Sequence, residues 1–410
     1  MSQVSKQRIL LMSHGHPDLN KGGAEMAAYS MFKELESRGE DVFFLARTGL
    51  DPHGGAAFSS RNSPREMLFH TTNDDWFLFS NLKTRHLWQE FRDMLLLLKP
   101  DVIHLHHYFL LGIEVLQEIR NTLPKCKIIV TLHEYLAICH NKGQMVKTSG
   151  KLCYKASSRD CSGCFPEKGP GEFFLREQYI KRMFDVVDHF ISPSHFLKQR
   201  YADWGVEESR ISVIENGQAP RQELPETKQS ELTRFAFFGQ VNPFKGIDIL
   251  IEAYLMLPRS VRRNVCVDIH GANFEHQEGE YQQHVKNLLE MAGSQVRFVG
   301  GYEPHEMPGL LNKTDWVIVP SKWWENSPIV IQEALNYQVP LIVSDIGGMK
   351  EKVEDGVTGI HFRAGKSVEL SEVMVSVIKD KSIRDKMSKA ITPPLSITEC
   401  VDLHLPYYGC

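Results

Sequence analysis

Short apolar runs alternate along the chain with longer stretches whose apolar residues return every three or four positions. RILLMS at 8–13 reads as a strand buried on both faces. Beyond a Gly-containing loop, Met26, Tyr29, Phe32 and Leu35 mark one face of a helix from about Ala24 to Arg38, and Gly39 stops it. Val42–Leu45, Val102–Leu105, Ile128–Leu132 and Phe190–Ser192 repeat the strand pattern, and Ser194 is a suitable N-cap for the helix that follows. The rhythm restarts at Phe235–Phe238. It continues with a helix near Ile247–Leu255 and strands at Val265–His270, Val296–Val299, Trp316–Val319 and Leu341–Ser344. Helices fit about His284–Met291, Pro328–Tyr337 and Ser367–Ile378. Such alternation builds α/β domains, each a parallel sheet with helices on both faces.

Between the two halves, NGQAPRQELPETKQSEL is polar, holds two prolines and has no period. The predicted organisation is a first domain at 1–217, a linker at 218–232, a second domain at 233–390 and a trailing segment at 391–410. A chain of 410 residues suits two large domains. Asp51–Asp75, with its GG, NSP and TTND, reads as an irregular excursion from the first domain. Sites in open α/β sheets lie at the carboxyl ends of strands, so two such domains facing each other would enclose a cleft there.

Charge and composition narrow the function classes. Lys+Arg 47 against Asp+Glu 51 gives a net charge of −4, so the basic excess of a nucleic-acid binder is missing. The apolar run Ile9–Met12 is shorter than a signal-peptide core, and Met94–Leu98 falls far short of the roughly 20 residues of a membrane span. A soluble cytoplasmic protein is the expectation.

Several residues carry candidate chemistry. Glu325-Asn326-Ser327-Pro328 follows the strand Trp316–Val319; Ser327 fits an N-cap and Pro328 the first helical position. The N–H groups of Ile329 and Val330 would then face a phosphate or a sugar hydroxyl. Glu333 would stand in the second turn, so that two carboxylates could grip two parts of one polyhydroxylated ligand. Lys245, in QVNPFKG at 240–246, would offer a point charge to a phosphate. Gly22-Gly23 opens the first helix and would let backbone N–H groups approach an anion. Its spacing is not GxGxxG, which argues against a dinucleotide site. His133 ends the strand Ile128–Leu132 and would face the cleft. His104, His106 and His107 resemble metal ligands, but no carboxylate or cysteine stands at a matching spacing, and a structural role is the expectation. Cys139, Cys153, Cys161 and Cys164 share one polar, loop-rich segment; a tetrahedral structural zinc, free thiols and redox disulfides are all open readings. The other cysteines are scattered, and Cys126 and Cys266 read as packing residues.

Together these residues resemble a retaining glycosyltransferase of the family 4 type, with the GT-B fold of two facing Rossmann-like domains, a cleft between them and a C-terminal helix crossing back. GGAE at 22–25, FFGQVNPFKGIDILIEA at 237–253, PSKWWENSPIVIQEALNYQVPLIVSDIGG at 320–348 and EDGVTGIHF at 354–362 carry the resemblance, which runs from about Ile9 to the end. The cysteine segment resembles an insertion found in a subset of these enzymes. The resemblance implies a nucleoside-diphosphate sugar as donor, held by the second domain, with no cofactor and no divalent metal; no DxD motif is evident. It implies that Glu333 holds the ribose hydroxyls and that Glu325 lies near the transferred sugar. Asn326, Ser327 and Ile329 would line the phosphate and sugar side, and Lys245 would neutralise the diphosphate leaving group. Gly22 and Gly23 would close over the phosphates, and His133 would orient the donor sugar. Many members carry arginine five positions before the lysine, where this chain has Gln240; leaving-group stabilisation would then rest more on Lys245 and backbone N–H groups, with Arg297 and Lys322 as candidate compensating charges.

The acceptor implied is a glycan or a lipid-linked glycan of surface polysaccharide biosynthesis. The mixed basic and aromatic stretch Phe173–Trp204 suits either a peripheral contact with the inner face of a membrane or a partly buried helix pair, and the second reading is favoured. Pro393-Pro394 argues against a long final helix. Two other functions share the fold. A nucleotide-sugar epimerase would turn over donor without acceptor, and a non-catalytic nucleotide-sugar-binding scaffold would bind donor and leave it intact.

Overall fold

The computed structural model describes residues 6–20, 22–50, 55–72, 75–81, 87–225 and 232–409. The chain divides into two compact units. One comprises Met1–Gly217 with Leu395–Cys410, and the other Gln218–Pro394.

The first unit is built on eight strands: β1 (Arg8–Ser13), β2 (Asp41–Thr48), β3 (Phe58–Ser60), β4 (Glu66–His70), β5 (Val102–Leu105), β6 (Lys127–Thr131), β7 (His189–Ser192) and β8 (Ile211–Val213). Their order is β3-β4-β2-β1-β5-β6-β7-β8. All pairs are parallel except β3 with β4. Helices of this unit include Gly23–Ser37, whose Ala28, Met31, Phe32 and Leu35 are buried, and His195–Trp204, where Ser194 Oγ caps the Leu197 N–H as expected.

Two expectations fail in this unit. The stretch read as an irregular excursion holds β3 and β4; its positions 51–54 and 73–74 lie outside the described residues. Glu66, fully buried at the start of β4, hides the strand from a hydrophobicity reading. Its carboxylate is satisfied by Lys33 at 3.0 Å, Asn62 at 3.0 Å and Tyr29 at 3.2 Å. The prolines at 393–394 do not prevent a final helix. Ile397–Tyr408 starts just beyond them on a capping box, Ser396 Oγ accepting from Glu399 N–H and Glu399 accepting from Ser396 N–H. Cys400, Val401 and Tyr408 of this helix pack into the core of the first unit with Leu11, Met31 and Phe32.

The second unit holds β9 (Thr233–Phe238), β10 (Val265–His270), β11 (Val296–Gly300), β12 (Trp316–Val319), β13 (Leu341–Ser344) and β14 (Gly359–Phe362), all parallel, in the order β11-β10-β9-β12-β13-β14. Helices cover both faces. Ile247, Leu250 and Ile251 of the helix Ile247–Met256 enter one core with Phe235 and Ile269. Ile331 and Ala334 of the helix Ile329–Asn336 enter another with Phe238 and Val343.

Candidate functional site

In the second sheet the strand order reverses at β9, with β10 on one side and β12 on the other. Ligands of open α/β sheets lodge beyond the carboxyl ends of the strands at such a reversal. The loops leaving β9 and β12 meet there. The Lys322 N–H donates to the Phe244 carbonyl at 2.7 Å. Gly246 sits at φ +73°, and a Cβ on it would stand 2.0 Å from the Pro320 carbonyl oxygen.

This junction brings Lys245 Nζ to 2.7 Å from Glu325 Oε1. The same oxygen accepts from Ser321 Oγ at 2.7 Å and from the Trp323 indole N–H at 2.9 Å. Ser321 and Trp323 have no counterpart in the sequence reading; their part is visible only once the loop is folded. Glu325 is buried and Lys245 partly exposed. The two candidate groups of opposite charge therefore form one pair, and an incoming phosphate would compete with Glu325 for the ammonium.

Ser327 is not the helix cap. Pro328 has extended backbone and takes the N-cap place of the helix Ile329–Asn336, which leaves Ser327 one residue too early to reach the first helical N–H groups. Its Oγ is buried without a partner. Asn326 precedes it and Ile329 opens the helix two residues on, while Gln240 is exposed on the β9 loop. Neither compensating cation stands unpaired: Arg297 forks onto Asp268 at 2.6 Å through both Nε and Nη2, and Lys322 is paired with Asp248 at 2.7 Å.

Glu333 is half-buried, and loss of solvent pushes its carboxyl up to about 7. Between the ordinary value of 4.5 and about 7 the folded chain thus holds a proton that the unfolded chain has released. Stability should fall as pH rises through that window. Melting temperatures of wild type and Glu333→Gln between pH 5 and 8 check this: the glutamine variant should lose part of the decline, and parallel curves would refute it.

In the first sheet the order reverses at β1, between β2 and β5. Histidines leave the carboxyl ends of β1, β5 and β6. His14 follows β1, His106 and His107 follow β5, and His133 and Glu134 follow β6. His14 Nε2 lies 3.1 Å from Glu25 Oε1, and His107 Nε2 lies 3.0 Å from Glu134 Oε1. The His14 and His107 rings meet edge to face at 4.7 Å. Burial pushes the Glu134 carboxyl up to about 8, and burial with neighbouring His107 and His14 drives His133 down to about 3, so His133 is neutral near pH 7. His104 bears out its structural reading: its two ring nitrogens bond Tyr408 OH and Thr131 Oγ1, each at 2.7 Å.

Gly22 lies against the carboxylate of Glu25. It is the N-cap of Gly23–Ser37, and a Cβ there would stand 2.3 Å from Glu25 Oε2. The chain's own Glu25 carboxylate therefore occupies the space over this helix N-terminus, where the sequence reading placed phosphate. The motif GGAE contained the signal, since glutamate at the third helical position folds back toward the cap.

The four cysteines do converge. Cys139, Cys153, Cys161 and Cys164 line one cavity of about 20 Å³ with Met145, Val146 and Phe165. All four stand outside any disulfide. The zinc reading is corrected: among the described residues no three His, Cys, Asp or Glu side chains come together as a metal-ligand set. Burial raises the Cys139, Cys153 and Cys161 thiols, the last to about 11.

The basic-aromatic stretch is a packed helix pair. In Pro170–Phe184 and His195–Trp204, Phe173, Ile180, Phe184, Leu197, Tyr201 and Trp204 are buried. Arg176 is buried too, donating to the carbonyls of Phe77, Leu136 and Ala137. Phe174 and Leu175 remain exposed. No helix among the described residues is long and apolar enough to cross a membrane.

Two Rossmann-like units of parallel strands are the architecture of the GT-B fold. A structure of Anabaena Alr3699/HepE in complex with UDP superposes with a TM-score of 0.67 at 17% identity, covering 98% of this chain and 100% of that one. The family described as Glycosyltransferase Family 4 matches residues 21–220, and Glycosyl transferases group 1 matches residues 220–392. The chain belongs to the glycosyltransferases of the family 4 type. A lipopolysaccharide 1,2-N-acetylglucosaminetransferase of Salmonella typhimurium is 30% identical over 184 residues, 42% of this chain and 48% of that one, so the chain spans about half the length of this relative. Glycogen synthase of Mycobacterium tuberculosis is 24% identical over 415 residues, 93% of this chain and 89% of that one.

Proposed function

We propose that the protein transfers a sugar, with retention and without a divalent metal, from a nucleoside-diphosphate sugar to a glycan or lipid-linked glycan in surface polysaccharide synthesis at the cytoplasmic side. The observation that carries this reading is the Lys245–Glu325 pair at the β9 reversal, beside the unpartnered Ser327 Oγ. A diphosphate would draw Lys245 off Glu325 and engage Ser327, the Ile329 N–H and Asn326. Glu333 would accept from the ribose hydroxyls, and Glu325 would face the sugar. As the anomeric C–O bond breaks, negative charge builds on the departing diphosphate, and preorganised donors stabilise it there. His133, being neutral, would orient the sugar through a hydrogen bond and add no charge. The departing phosphate would take the acceptor's proton on the face it leaves, which retains configuration. The UDP complex of the structural neighbour and the names of the two relatives support a nucleotide donor and a glycan acceptor.

Thermal shifts with UDP, GDP, ADP, CMP and dTDP, without metal, test the reading. A nucleotide at about 100 times its dissociation constant should add roughly 2.7 kcal/mol to wild type and much less to Glu333→Ala. No shift with any nucleotide would overturn it. Donor consumed without acceptor would point to the epimerase, and donor bound but left intact with every acceptor to the scaffold. Ribose hydroxyls favour the ionised Glu333, so nucleotide binding between pH 6 and 7 should release a proton. Titration calorimetry in two buffers of different ionisation enthalpy should register this in wild type and not in Glu333→Gln.

A further inference from the structure

His106 and His133 leave adjacent parallel strands, β5 and β6. Their rings lie 5.4 Å apart and nearly parallel, with His106 Nδ1 3.2 Å from His133 Nε2. On its other side the His106 ring lies 4.5 Å from His104, which is pinned through both nitrogens. His106 is 2% exposed, and its Nε2 is buried without a partner. Burial keeps both members of the His106–His133 pair neutral near pH 7.

A hydrogen bond between two neutral imidazoles needs one N–H and one lone pair. Were the His106 proton on Nε2, that N–H would be buried with no acceptor. With the proton on Nδ1, only a lone pair goes unmatched, and orphaned buried N–H groups are the rarer and costlier case. His106 therefore donates through Nδ1 to His133 Nε2. His133 Nε2 is then an acceptor, and its own proton must sit on Nδ1.

We propose that His106 is a positioning residue that fixes His133 as the Nδ1–H tautomer. The consequence for catalysis rests on the role proposed above for His133; the tautomer itself does not.

Long-range proton–nitrogen correlation spectra of the full chain, labelled with nitrogen-15 at histidine, read the tautomer directly. The His133 signals are assigned by their loss in His133→Gln. At neutral pH, wild type should show His133 Nδ1 at a protonated shift and Nε2 at an unprotonated one; the reverse pattern overturns the proposal. In His106→Phe the His133 pattern should become mixed or reversed, and an unchanged pattern also overturns it. His106→Asn, whose amide N–H stands near the place of Nδ1, should restore it. If His106→Phe does not fold, the wild-type spectrum alone decides. With the donor identified by nucleotide binding, His106→Phe should lower kcat about tenfold with little change in KM, and His106→Asn should recover it. A full rate in His133→Gln would remove the catalytic role of His133 and leave the tautomer assignment standing.

Discussion

Lys245→Ala should lower donor turnover by about 10² to 10³-fold, the usual effect of removing one donor aimed at developing negative charge, or about 2.7–4 kcal/mol. The effect should fall on kcat more than on KM, because the charge on the leaving diphosphate grows as the bond breaks. Little else in the second unit can substitute. Gln240 is uncharged, Arg297 is committed to Asp268 and Lys322 to Asp248. Lys245→Arg keeps the charge but spreads it over a planar fork and should recover only part of the rate. Folding should survive, because Glu325 Oε1 keeps its bonds from Ser321 and Trp323 when the ammonium goes. Steady-state rates with the identified donor, together with melting temperatures, separate the two effects. Turnover within about threefold of wild type would mean that the leaving group is stabilised by other groups.

The parts of this molecule that were legible in its sequence share a physical cause. A parallel strand covered on both faces is a continuous apolar run, so RILLMS, VIHL, VCVDIH, WVIV and LIVS stood out, with boundaries that match the structure. β4 did not, because its first residue is a buried glutamate whose partners, Lys33 and Asn62, come from other elements. The last helix, which the resemblance implied, was put in doubt by its own residues because a proline pair signals a stop, while the capping box Ser396-x-x-Glu399 just beyond it signals a new start. In the candidate site, Lys245, Glu325 and Glu333 were legible as residues on loops and helix starts. Their pairing was not: that Lys245 and Glu325 bond each other depends on Gly246 touching Pro320, a contact between segments far apart in the chain. At Gly22 the direction was legible in GGAE and went unread: a phosphate loop was expected and a carboxylate lies there.

Gly348→Ala should be the most damaging single methyl in the second unit. The loop carrying Glu325 and Asn326 lies against the start of the helix Gly347–Lys352, and the Gly348 N–H donates to the Glu325 carbonyl at 2.7 Å. A Cβ at 348 would fall 1.6 Å from the Asn326 carbonyl oxygen, inside any non-bonded contact, and the obstacle is backbone that cannot rotate away. The loop must move or the helix must shift, and either displaces Glu325 and the Ser327 hydroxyl together. The expected result is insoluble protein, or a loss beyond the roughly 0.5–3 kcal/mol of an ordinary substitution, with nucleotide stabilisation abolished. Gly365→Ala is the control. That glycine has φ +75° but nothing within 4 Å of its would-be Cβ, so only the left-handed backbone is penalised, by about 1–2 kcal/mol, and nucleotide binding should survive. Comparing the two variants by thermal melts with and without nucleotide separates backbone strain from collision. Equal destabilisation would mean that the loop yields, and that Glu325 is held by its side-chain donors instead of by this backbone contact.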